Sequence, residues 1–100
     1  MLLLALVASL LTGCSKNNVQ VISSVYGTGK NFADVSERVA DLVQKGPGFN
    51  ADPGWLKVDP SPGWNKALII IYEVKGRRHV FTADEGERVS ARILLEAARK

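Results

Sequence analysis

The chain has little of what most enzymes and metalloproteins are built from. A single cysteine excludes an internal disulfide framework, and a single histidine makes a histidine-based metal site improbable. Charge is nearly balanced, with 13 Lys+Arg against 10 Asp+Glu for a net +3. The basic residues are scattered from Lys16 to Lys100, and only Arg77-Arg78 and Arg99-Lys100 are adjacent. That is a mixed, solvated surface rather than the clustered stripe a nucleic acid needs, so no nucleic-acid partner is expected. With 100 residues there is material for one domain with a modest core and no large substrate cavity.

What is present begins at the N-terminus. Met1 to Leu11 is apolar except for Ser9. As a helix it would reach about 16 Å, at roughly 1.5 Å per residue, against the about 30 Å of a bilayer core. Its length suits the hydrophobic region of a secretory signal. Leu11-Thr12-Gly13-Cys14 follows at once and matches a bacterial lipobox: an aliphatic residue, two small residues, then cysteine. The thiol is the nucleophile that takes up lipid, and the small residues admit the peptidase. The reading is therefore residues 1–13 as a lipoprotein signal peptide, 14–18 as an acylated tether and 19–100 as the domain. Two or three acyl chains on Cys14 give stable anchoring where one does not. No Lys or Arg precedes the apolar run, so either the terminal amine alone supplies the charge there or the true start lies upstream. Ser15, rather than Asp, after the lipidated residue favours the outer membrane where a bacterial envelope has two.

The remaining pattern predicts a mainly β domain. Val19–Tyr26 is β-branched and aromatic with partial alternation, a strand. Gly27–Asn31 reads as a turn. Asp34-Val35-Ser36-Glu37 has the form of a capping box. Val35, Val39, Leu42 and Val43 then form one apolar helical stripe over 35–44, stopped by Gly46-Pro47. Residues 46–65, rich in Gly and Pro, read as a long loop with a short extended piece at Trp55–Val58. Ala67–Val74 is the strongest strand and central, Lys75-Gly76-Arg77 a hairpin turn, Arg78–Thr82 its antiparallel return, and 84–87 a further turn. A brief strand near 88–90 and a C-terminal helix complete the expectation. The architecture expected is a small antiparallel sheet or sandwich with one short amphipathic helix.

Few residues carry a chemical signal. Gly27-Thr28-Gly29-Lys30 resembles part of a phosphate-binding loop, but Ser24 stands where the first glycine is needed and Asn31 where Ser or Thr must hold the metal. Asp34, Glu37 and Asp41 share helical spacing and are better explained by capping and a solvated face. His79 fits ordinary packing in a hairpin strand, and no serine lies in a nucleophile elbow. No catalytic residue, cofactor or metal follows. Trp55 and Trp64, in the Pro/Gly-rich loop, are the candidate binding surface, since exposed aromatic faces stack on sugars, peptides or lipid interfaces. The competing reading is that they cap a small core.

The succession Ile22…Tyr26-Gly27, Asp34-Val35-Ser36…Val39…Leu42-Val43, Asp59-Pro60-Ser61-Pro62-Gly63…Lys66–Tyr72, Gly76-Arg77-Arg78 and Glu85-Gly86-Glu87 resembles an uncharacterised β-rich domain. That domain occurs at the C-terminus of a mitochondrial DnaJ-type co-chaperone and in bacterial exported proteins. The resemblance implies a β-dominated accessory or interaction module, with no active site to carry over. Together these features lead to the expectation of a non-enzymatic envelope lipoprotein that binds or scaffolds an envelope protein. The alternative is a glycan- or peptidoglycan-binding module using the tryptophans.

Overall fold

A computed structural model describes residues 18–99 of the chain. The strongest apolar run, β4 (Ala67–Val74), lies inside a four-stranded antiparallel sheet of order β2-β1-β4-β5. Its neighbours are β1 (Val19–Thr28) and β5 (Arg77–Asp84), and β2 (Asn31–Asp34) forms the far edge. A two-stranded ribbon pairs β3 (Phe49–Asn50) with β6 (Arg88–Val89). Three helices complete the fold: α1 (Ser36–Lys45), α2 (Pro53–Leu56) and α3 (Ala91–Ala98). The domain is thus strand-rich with an amphipathic helix and a C-terminal helix, as expected.

The partial alternation of β1 has a structural cause. A register shift between Val21 and Ser23 leaves Ile22 outside the ladder. Before the bulge Val19 and Val21 face the core; after it Ser24 and Tyr26 do, opposite the buried Ile70 and Leu68. One extra residue therefore corrects the two-residue period, so that both halves of the strand bury the same face. That face is covered by α1, whose Val39, Leu42 and Val43 are buried, and by α3, whose Leu94 is fully buried. Tyr72 donates its hydroxyl to the Leu94 carbonyl at 2.8 Å, so the central strand and the last helix are joined by a buried hydrogen bond as well as by apolar contact. Each fully buried aliphatic or aromatic side chain contributes about 1.5–3 kcal/mol, and this single cluster holds the domain together.

Four local expectations are corrected. The region 27–31 is not a simple turn: β1 runs to Thr28 and β2 starts at Asn31, so only Gly29 and Lys30 turn the chain. Gly27 is indispensable there, because a Cβ would lie 1.9 Å from the Asn31 carbonyl oxygen. The capping box does not form. Val35 is the N-cap of α1 without a side-chain bond, and Asp34 instead accepts the Ser36 N–H at 2.9 Å and its hydroxyl at 2.6 Å. Asp34, paired with Val25 at the end of β2, thus takes a first-turn N–H from one residue before the N-cap, and among the described residues no bond from Glu37 returns to it. Finally, residues 46–65 hold β3, and Pro53–Leu56 within them form the helical turn α2, which takes Trp55 and Leu56 out of the extended piece expected at Trp55–Val58. Asp52 caps that turn by accepting the Trp55 N–H at 2.9 Å, with Pro53 at its first position.

The opposite face of the sheet is apolar yet open. Val25, Ile69 and Ile71 are half-buried, and Ile22, Phe32 and Val80 are exposed, Val80 by 65%.

A candidate binding surface around Trp64

The loop that carries Trp64 is held from beneath by a buried lysine. Lys66 directly precedes β4, and its side chain is almost wholly enclosed. Its ammonium donates to the backbone carbonyls of Trp64 at 2.7 Å and Ser61 at 3.0 Å. The same nitrogen lies 3.1 Å from Asp59 Oδ1 and 3.2 Å from Glu85 Oε1. Glu85 also accepts the Lys66 backbone N–H at 2.8 Å. The Tyr26 ring flanks the group, its centroid 5.9 Å from Nζ.

The electrostatics follow from this geometry. Burial disfavours the Lys66 charge, but hydrogen bonds and attraction from Asp59 and Glu85 outweigh it and hold the ammonium above its ordinary range. A lysine held this firmly in its charged form is not available as a nucleophile. Burial, and after it the negative charges of Glu85, Asp59 and Asp52, pushes the Tyr26 phenol up as well. The cluster is a clamp: the turn Asp59-Pro60-Ser61-Pro62-Gly63 wraps around one cation and is fixed to the sheet by it.

Above the clamp, the Trp64 indole is 71% exposed. Its exposure cannot come from a loose loop, because its own carbonyl takes the shortest of the Lys66 hydrogen bonds. Beside it, the turn between β1 and β2 brings Thr28, Gly29, Lys30 and Asn31 to line, with Ser61 and Trp64, an open cleft of about 310 Å³. The surface therefore combines a flat aromatic face with hydroxyl, amide and ammonium groups.

Trp55 is placed differently. It is 38% exposed, its ring stands 6.5 Å from that of Phe49, and its carbonyl accepts the Arg38 Nε–H at 2.8 Å. It belongs to the packing between α1, α2 and β3 and does not line the Trp64 cleft. His79 lies in β5 with its ring 5.5 Å from Tyr72. Asp41 pairs with Lys45 at 3.1 Å, and the described residues contain no group of three or more potential metal ligands. Cys14, the expected lipidation site, lies outside the described residues, and no described helix is long and apolar enough to cross a membrane.

Sequence reasoning missed Lys66, and with it Asp59 and Glu85. Nothing in their spacing marks them, because the fold alone brings residues 59, 66 and 85 to one point. Compared with protein-family models, curated proteins and solved structures, the chain matches none of them.

Proposed function

We propose that this chain is a bacterial envelope lipoprotein, anchored through lipid on Cys14, whose domain presents a non-enzymatic binding surface centred on Trp64. The observation that carries the binding surface is the exposed indole on a loop immobilised by a buried, fully engaged ammonium. A rigid aromatic loses little freedom when a ligand covers it, which is what makes such residues effective anchors. The lipobox at Leu11–Cys14 supports the anchor, and Ser15 supports the outer membrane where there are two.

The partner is an envelope protein in the first reading. The second reading, a glycan or peptidoglycan ligand, is favoured by the cleft that Trp64 forms with Thr28, Lys30 and Asn31, since a sugar ring stacks on an aromatic face while its hydroxyls meet polar groups. In-cell cross-linking of the tagged protein separates them. A protein partner lost on Trp64→Ala and kept on Trp55→Ala supports the first, and cell-wall fragments with the same dependence support the second. Capture indifferent to Trp64 overturns the site. A mature mass equal to unmodified Ser15–Lys100 overturns the anchor.

A further inference from the structure

We infer that the end of the domain nearest the anchor carries a binding site for anionic phospholipid headgroups, formed by Lys75, Arg77 and Arg99. The inference rests on the proposed acylation of Cys14. Residues 75, 77 and 99 are brought together by the β4–β5 hairpin and the C-terminal end of α3. They line, with Asn18, Val74, His79, Leu95 and Ala98, an open cleft of about 510 Å³.

Asn18 is the residue through which the chain enters the domain from the tether. Asn18 lies four residues after Cys14, and a chain spans at most roughly 3.3–3.6 Å per residue, so the entry point lies within about 14 Å of the lipidated residue. The anchored domain therefore holds this cleft close to the lipid surface, where charge is least screened.

The charge is free to act. Arg78, next to Arg77 in β5, is already occupied by its pair with Glu73 at 3.0 Å. Lys75, Arg77 and Arg99 make no side-chain ion pair among the described residues. Three cations without a side-chain ion pair around one cleft present a local positive field to an anion. The apolar lining from Val74, Leu95 and Ala98 suits a headgroup with glycerol and acyl carbons attached better than a free, fully hydrated phosphate.

The test uses the full chain in zwitterionic micelles, with backbone amide NMR shifts followed as phosphatidylglycerol or inorganic phosphate is added. Phosphatidylglycerol is expected to move Asn18, Lys75–His79 and Leu95–Arg99. The midpoint should rise at least tenfold in a Lys75→Gln/Arg77→Gln/Arg99→Gln variant and stay unchanged in Lys57→Gln, an exposed lysine outside both clefts. The shifts of the unaltered chain should also collapse at about 0.5 M salt, a check that needs no variant to fold. Equal shifts with inorganic phosphate, or none with the lipid, overturn the proposal. Mass measurement of the same sample keeps the two readings apart. An acylated chain without shifts overturns the headgroup site alone, and shifts in an unacylated chain overturn the anchor while supporting the site.

Discussion

Ser24 and Ser36 hold β1 to the start of α1: the Ser24 N–H donates to Ser36 Oγ at 2.9 Å, while the Ser36 hydroxyl donates to Asp34 at 2.6 Å. The Ser24 carbonyl in turn accepts the Val35 N–H at 2.9 Å, and its own hydroxyl donates to the Ile69 carbonyl at 2.9 Å. The helix is thus started by the sheet rather than by its own cap. Ser36→Ala leaves the Ser24 N–H without its acceptor and should destabilise the domain by about 1–2 kcal/mol. Urea unfolding followed by circular dichroism reads this as a lower midpoint with unchanged slope; an unchanged midpoint refutes the role.

Alkaline pH should loosen the domain. The Tyr26, Tyr72 and Lys66 values are all raised in the folded state, from ordinary values of 10.0 for tyrosine and 10.5 for lysine. For tyrosine the cause is burial first; for Lys66 the two carboxylates prevail over burial. Groups with raised values give stability that is complete below their ordinary pKa and is lost as pH rises through the folded one. Melting temperature should therefore hold steady at neutral pH and fall above pH 10.0, where the tyrosines begin to contribute, more steeply beyond 10.5. Asp34 acts at the other end. Hydrogen bonds from the Ser36 hydroxyl, then from its N–H, lower its pKa, so its contribution is lost as pH falls below 3.8.

Lys66→Met removes the clamp and leaves Asp59 and Glu85 facing each other's charge. The variant should melt lower than wild type at pH 7 and lose the lysine part of the alkaline decline. Its Trp64 should gain mobility, read as lower fluorescence anisotropy in a Trp55→Phe background. Retained anisotropy would show that the loop is fixed by something else.

The two tryptophans should part company in stability measurements. Trp64→Ala exposes nothing and should stay within about 0.5 kcal/mol of wild type. Trp55→Ala strips a packed ring from beside Phe49 and should cost about 1–2 kcal/mol. Equal costs in urea unfolding would contradict these placements.

Lys75 occupies the left-handed region, with φ 54°, followed by Gly76 at φ 80°. A two-residue hairpin turn prefers Asn at that position. Lys75→Asn should therefore stabilise the domain by about 0.5–1 kcal/mol while weakening the response to anionic lipid. A variant that gains stability and keeps the full lipid response would remove Lys75 from that site.

The elements that could be read from the residues are those whose signal is local. The run Ala67–Val74 and its Gly76 hairpin announce β4 and β5, and Val39, Leu42 and Val43 announce the buried face of α1. Strand β2 was not legible, because Asn31–Asp34 has no β-branched residue and pairs only because a two-residue turn places it there. For α2 the signal was present in Asp52-Pro53, a cap followed by proline, but the glycine after it reads as a loop. Trp64 was visible as a candidate; what fixes it was not, since Asp59 and Glu85 meet Lys66 only in the folded chain.

The buried bond from Tyr72 to Leu94 also sets when folding can finish. The Tyr72 hydroxyl finds its acceptor only once residue 94 has been made, so a chain lengthening from its N-terminus closes this tie between the central strand and the last helix at the very end of the domain's synthesis.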